Sequence, residues 1–245
     1  MRICAAQIRA TKGDIKNNVA KHLKFIKAAA QRSVDLIVFP ELSLTGYEPD
    51  LAKELVFTES DLSLKVFQVL SNHHSMYIAI GLPIGTADLP RISMMVFHPM
   101  STPRIYSKTF LHPDEEIFFS TGTNDFKIMD LAVVKVAPAI CYELSVPHHA
   151  STVAKQGADL YLVSVAKSQA GVGLARDTLT HIASNHGMSV VMSNCVGETA
   201  DFIAAGQSAV WSNEGKLLGQ LGDSVEGMIV LDMDTMSVRQ IPIVL

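Results

Sequence analysis

Val136-Ala137-Pro138-Ala139-Ile140-Cys141-Tyr142-Glu143-Leu144-Ser145-Val146-Pro147 is an apolar run that stops at a thiol, followed by an aromatic ring and a carboxylate. The lack of polar alternation before residue 141 predicts a buried strand. Its end presents Cys141 at the edge of a sheet, where clefts form in layered α/β proteins. A lone cysteine is more often a small core residue than a nucleophile. The reading of Cys141 therefore depends on what the other strand ends carry.

Upstream, Asp35-Leu36-Ile37-Val38-Phe39-Pro40-Glu41 is a second apolar strand, and it ends in a carboxylate. Pro40 cannot donate a ladder hydrogen bond, so pairing stops there and Glu41 is left at the sheet edge. Before it, residues 2–8 read as a strand and 14–33 as an amphipathic helix. After it come a loop over 42–50, a helix over 60–74 and a strand over 76–82. Residues 91–99 and 102–107 read as an antiparallel pair that runs straight into Lys108, a position where lysine is ordinarily a solvated end. Residues 109–122, with Asp114, Glu115 and Glu116 beside Phe118 and Phe119, read as a loop over a cleft.

Strands are expected over 125–129 and 132–140, then a helix over 146–156 closed by Gly157, and a strand over 159–165. A helix over 175–186 closed by Gly187 leads to a strand over 189–194. The segments 206–211, 217–220 and 228–232 read as a small antiparallel set. Strand–helix–strand units in the first and last thirds, with antiparallel pairs between, predict an α/β protein of two stacked mixed sheets with outer helices. The 245 residues contain no linker-like stretch, so one domain over 1–245 is expected.

A net charge of −4 lacks the basic excess that nucleic-acid binding requires, and a small-molecule partner fits better. No apolar run approaches the ~20 residues needed to span a bilayer, so no membrane partner is expected. Cys4, Cys141 and Cys195 are odd in number and widely spaced, which argues against a disulfide framework. With no secretory pattern at the N-terminus, a cytoplasmic location is expected. Gly171-Val172-Gly173 lacks the third glycine of a dinucleotide loop. His73-His74 and His148-His149 lack the i, i+4 spacing of a helical zinc site and read as surface histidines, and no metal is expected.

Three strand exits thus carry Glu41, Lys108 and Cys141: a base, a cation and a thiol. With these residues the sequence resembles the nitrilase superfamily of carbon–nitrogen hydrolases, in its amidase-like branch. The resemblance runs through Phe39-Pro40-Glu41, Tyr106-Ser107-Lys108, Leu111-His112-Pro113 with Glu115, Ile140-Cys141-Tyr142-Glu143, Gly157-Ala158-Asp159 and Gly206-Gln207-Ser208. It implies a four-layer αββα sandwich with Cys141 as nucleophile, Glu41 as general base, Lys108 stabilising the tetrahedral intermediate and Glu115 as a second glutamate near the site. The implied reaction is hydrolysis of a small linear amide through a thioester, with no cofactor. Nitrile hydrolysis and acyl transfer use the same site, and a non-catalytic scaffold subunit is the rival from another class. Tyr47, Tyr142, Val165, Ala166 and Lys167 are candidate pocket residues by position. Ser145 stands where many members carry arginine. The family's habit of association, with the apolar end at 240–245, implies a homodimer or larger homo-oligomer.

Overall fold

The computed structural model describes residues 1–123, 128–131 and 133–243. In chain order the first half contains β1 (Arg2–Gln7), α1 (Ile15–Ala30), β2 (Leu36–Val38), α2 (Lys65–His74), β3 (Tyr77–Ile84), β4 (Arg91–Phe97) and β5 (Arg104–Ser107). The second contains β6 (Met129–Leu131), β7 (Val134–Ile140), α3 (Pro147–Lys155), β8 (Leu160–Val165), α4 (Gln169–His186) and β9 (Ser189–Asn194). It ends with β10 (Val196–Glu198), β11 (Ile203–Ala205), β12 (Ala209–Trp211), β13 (Leu217–Gln220), β14 (Gly227–Asp232) and β15 (Ser237–Pro242).

Among the described residues β10 and β11 pair by themselves, one of the two large sheets has the order β15-β14-β1-β2-β3-β4-β5, and the other β13-β12-β9-β8-β7-β6. Their central strands are parallel, β1 with β2 and β3, and β7 with β8 and β9. The flanking pairs are antiparallel. Alternate residues of each central strand point to opposite faces. Ile3, Leu36 and Val38 pack between the sheets with Val136, Leu160 and Leu162 of the opposing one. Cys4, Ile37 and Ile78 face outward onto Phe25, Ile26 and Phe67 of α1 and α2. Ala137, Tyr161 and Val163 face the other way, onto Val153 of α3 and Leu179 of α4. Both faces of each sheet are therefore apolar, and the layers run αββα, as the sequence predicts.

Polar side chains tie the two sheets at their central strands. Ser164 Oγ on β8 donates to the Phe39 carbonyl at 2.8 Å, and Ser193 Oγ on β9 donates to Ala6 at 2.6 Å. These bonds hold the β2 exit against the second sheet.

Four expectations need correction. Helix α4 starts at Gln169, six residues before the predicted start, because Ser168 caps it through Gly171 N–H and offsets the weak propensity of Gly171 and Gly173. The dinucleotide-like glycines are thus its first turns. The tail is not one antiparallel set: β12 and β13 extend the second sheet, while β14 and the unforeseen β15 extend the first. His149 is not a surface histidine but fully buried on α3. Val165 is a core residue of the outer layer rather than a pocket residue, since its strand position turns it toward α4. Of the strands expected over 125–129 and 132–140, residues 125–127 and 132 lie outside the described residues, as do 244–245 of the apolar end. No helix among the described residues is long and apolar enough to cross a membrane.

Candidate active site

Glu41, Lys108 and Cys141 follow the ends of β2, β5 and β7, and the sandwich brings these three exits to one place. Each is held by its own local device. At Glu41, β3 passes so close that a Cβ on Gly81 would collide with the Pro40 carbonyl oxygen and the Leu42 nitrogen. On the other side, His22 Nε2 meets Ser43 Oγ at 3.0 Å and Asn18 Nδ2 donates to the Leu44 carbonyl at 3.0 Å. Leu42 adopts φ +50°, a strained left-handed conformation held by this enclosure. Gly81→Ala is expected to push the Glu41 turn off β3, strain the Glu41–Lys108 contact and lower the denaturant midpoint, since its Cβ would meet backbone atoms that cannot move aside.

At Lys108, the backbone N–H donates to Ile92 at 2.8 Å and the carbonyl accepts from Gly122 N–H at 2.7 Å. A Cβ on Gly122 would strike the Ser107 carbonyl. Lys108 is fully buried, contrary to the ordinary fate of a strand-end lysine. Its ammonium donates to Glu41 Oε1 and to both oxygens of Glu115, all at 2.8 Å. Glu115 also accepts from His112 N–H at 2.7 Å and from the Tyr47 hydroxyl at 2.9 Å. Burial works against the Lys108 charge, but Glu41, Cys141 and Glu115 outweigh it and hold the ammonium above its ordinary range.

Cys141 begins a short 3-10 turn, Cys141–Ser145, with φ +45°. The turn leaves the N–H groups of its first residues without intrahelical acceptors. Glu143 fixes this corner: its Oε2 accepts from Ile140 N–H at 2.8 Å and from the Tyr106 hydroxyl at 2.7 Å, while Oε1 accepts from Thr109 N–H at 2.6 Å. One buried carboxylate therefore joins the exit carrying Cys141 to the exit carrying Lys108. Burial pushes its pKa up to about 7 against the pull of those backbone donors.

Because Tyr106 donates to Glu143, its oxygen accepts from His149 Nε2–H at 2.9 Å, and Tyr161 hydroxyl donates to Nδ1 at 2.8 Å. Burial keeps His149 neutral, with its pKa lowered to about 4. Tyr106→Phe removes the shared hydroxyl and is expected to cost about 1–3 kcal/mol in denaturant unfolding, since its hydrogen bonds to the buried Glu143 carboxylate and to the His149 ring are both lost.

Burial pushes the Cys141 thiol up to about 11, Glu41 adds to the rise, and Lys167 and Lys108 oppose it. Glu41 is also raised, first by burial, with Lys108 opposing. Its Oε2 makes no hydrogen bond, and after Lys108 the Cys141 thiol is a further contact that favours the Glu41 charge. A carboxylate with one buried oxygen unsatisfied is thus in contact with a thiol that must lose its proton to react.

In front of Cys141 opens a cavity of ≈ 720 Å³ lined by Tyr47, Glu115, Phe118, Tyr142, Ala166, Lys167 and Phe202. The pocket candidates Tyr47, Tyr142, Ala166 and Lys167 therefore converge here, and Val165 does not. Asn194, at the end of β9, was not singled out in the sequence. Its side chain accepts from Lys167 N–H at 2.9 Å and donates to the Lys167 and Gly206 carbonyls at 3.1 and 2.7 Å. An amide closing an otherwise apolar strand needs partners, and that was the available signal. No cluster of potential metal ligands occurs among the described residues.

The family model described as carbon-nitrogen hydrolase matches residues 2–243. A nitrilase of Pyrococcus abyssi is 27% identical over 91% of this chain and 85% of its own length. A glutamine-dependent NAD(+) synthetase of Aquifex aeolicus is 30% identical over 96% of this chain, which spans only 42% of that protein. Among solved structures, an amidase variant from Nesterenkonia sp. AN1, with acrylamide added at its active site cysteine, superposes with TM-score 0.87. It shares 21% identity, over 95% of this chain and 93% of that one.

Proposed function

The chain belongs to the carbon-nitrogen hydrolase family, and from that premise we propose that it cleaves small linear amides to carboxylate and ammonia, with Cys141 as nucleophile. The observation that carries this reading is the contact of Glu41, one of whose buried oxygens has no hydrogen-bond donor, with a thiol that burial holds in its protonated form. Glu41 takes the thiol proton as Sγ bonds to the amide carbon. The oxyanion is met by the Lys108 ammonium and the Tyr142 N–H, donors of a kind worth roughly 3–4 kcal/mol each. Collapse of the tetrahedral intermediate breaks the C–N bond, and Glu41 returns the proton to the departing nitrogen. Water, deprotonated by Glu41, then attacks the thioester, and the thiol leaves with that proton. Glu115 keeps Lys108 aimed and, through Tyr47, ties the cavity wall to the same cation.

Incubation with butyramide tests this: ammonia release together with an acyl mass increment on the peptide carrying Cys141 is expected. Neither signal, across a panel of small amides, would sink the reading. Hydroxylamine capture of the acyl group measures how readily an amine replaces water. The acid limb of kcat/KM is expected above the 4.5 of an ordinary glutamate, because protonated Glu41 cannot accept the thiol proton and burial raises its pKa.

A further inference from the structure

The cavity in front of Cys141 has a cation that takes no step in the amide chemistry, although its field favours the Cys141 thiolate. Lys167 lies one residue past Ala166, whose carbonyl sits 3.9 Å from the Cys141 sulfur. Its backbone is clamped by Asn194 on both sides and by Ala205 N–H, which donates to the Lys167 carbonyl at 2.9 Å. Its side-chain stem runs over Gly171 on α4, where a Cβ would stand 3.4 Å from Lys167 Cβ. The residue is only half-buried and lines the cavity, yet no carboxylate among the described residues lies within ion-pair distance of its ammonium. By contrast, Lys108 in the same site is saturated by Glu41 and Glu115.

Of the other charged groups along this wall, Glu115 is buried and taken up by Lys108, and the two aspartates are at the rim. Asp114 has a side chain 90% exposed and pairs with His112 at 3.4 Å. Asp201 is exposed, and its field falls on Lys12. Neither neutralises Lys167. Four rings, Tyr47, Phe118, Tyr142 and Phe202, make up much of the remaining wall, with Pro49 and Ile117 beside them. An apolar channel with an unpaired ammonium on its wall suits a substrate that is itself amphiphilic, with an amide at one end, a short carbon chain and an anion at the other.

Resting on the amidase reading, we propose that the substrate is an ω-amide of a small dicarboxylic acid, bound with its free carboxylate on the Lys167 ammonium and its amide at Cys141. The reaction product would then be the dicarboxylate, and Lys167 would be the residue that separates such substrates from neutral amides of the same length.

The test compares glutaric acid monoamide and succinic acid monoamide with butyramide, in the intact chain and in Lys167→Met. The intact chain is expected to favour a monoamide over butyramide in kcat/KM. In the variant that ratio falls by about 10–100-fold, the scale of one charge-assisted hydrogen bond. Damage to the site at large lowers both substrates and leaves the ratio alone. An unchanged ratio, or a wild-type preference for butyramide, overturns the proposal while leaving the amidase reading standing.

A second measurement does not need turnover. Calorimetric binding of glutarate to Cys141→Ser should weaken by a similar factor when Lys167→Met is added, and equal affinity in the two proteins would also overturn it. The pH profile of iodoacetamide alkylation separates the remaining role. If Lys167→Met shifts the Cys141 profile and lowers all amides alike, Lys167 acts on the thiolate and the carboxylate assignment fails.

Discussion

Cys141→Ala is expected to lower amide turnover by about 10⁴-fold or more, the scale seen when the nucleophile of a covalent mechanism is removed. The fold should be untouched, because the side chain is small and the strained φ of +45° is imposed by the corner and not by the sulfur. The Glu143 bonds to Ile140 and Thr109 N–H groups that create this corner survive the substitution. The variant should therefore unfold at the same denaturant concentration as the parent, bind butyramide without cleaving it and form no acyl adduct. Cys4→Ala is the matched control: Cys4 packs in the outer apolar layer against α1, its thiol pushed far up by burial, and its loss should leave turnover intact. Substantial turnover by Cys141→Ala, or an acyl adduct on Cys4 or Cys195, would remove the nucleophile assignment.

The positions of Glu41 and Cys141 were readable because each stands where an uninterrupted apolar run stops. Leu36 to Phe39 and Val136 to Ile140 can only be buried, so Glu41 and Cys141 had to emerge at sheet ends. Lys108 was harder. A strand-end lysine is ordinarily solvated, and only the fold discloses two carboxylates, one of them 67 residues away, that meet its ammonium.

What escaped the sequence is long-range or contrary to local propensity. The pair Gly171 and Gly173 hides the start of α4, which the Ser168 cap supplies. The β13–β14 connection crosses from one sheet to the other, and nothing in the alternation of either strand says which sheet it joins. His149 looks like half of a surface pair, yet its partners Tyr106 and Tyr161 come from β5 and β8, so its burial becomes visible only once both sheets are assembled. Val165 and Ala166 differ by one residue, and that step decides between core and cavity.

Lys108→Met is expected to damage both stability and activity, and its pH dependence shows how the site is built. In the parent, two buried carboxylates share one ammonium at 2.8 Å, so its removal leaves Glu41 and Glu115 facing each other in an apolar enclosure. Breaking a buried ionic group in this way costs about 3–5 kcal/mol at neutral pH. The variant can relieve the repulsion by protonating Glu41, which burial and the Glu115 charge raise and Lys108 opposes, so Glu41 holds its proton to higher pH in the folded state than in the unfolded chain. A group whose folded pKa is raised contributes its stability below the unfolded pKa and loses it as pH rises through the folded one. Lys108→Met should therefore approach parental stability near pH 4 and fall away from it toward pH 8. Turnover should not recover at low pH, because the proton that restores the fold occupies the carboxylate needed to accept one from Cys141, and the oxyanion has lost its ammonium. Denaturant unfolding of both proteins across that range measures the difference. A destabilisation independent of pH would mean that Lys108 contributes packing alone, and that the carboxylates at residues 41 and 115 do not depend on it for their charge.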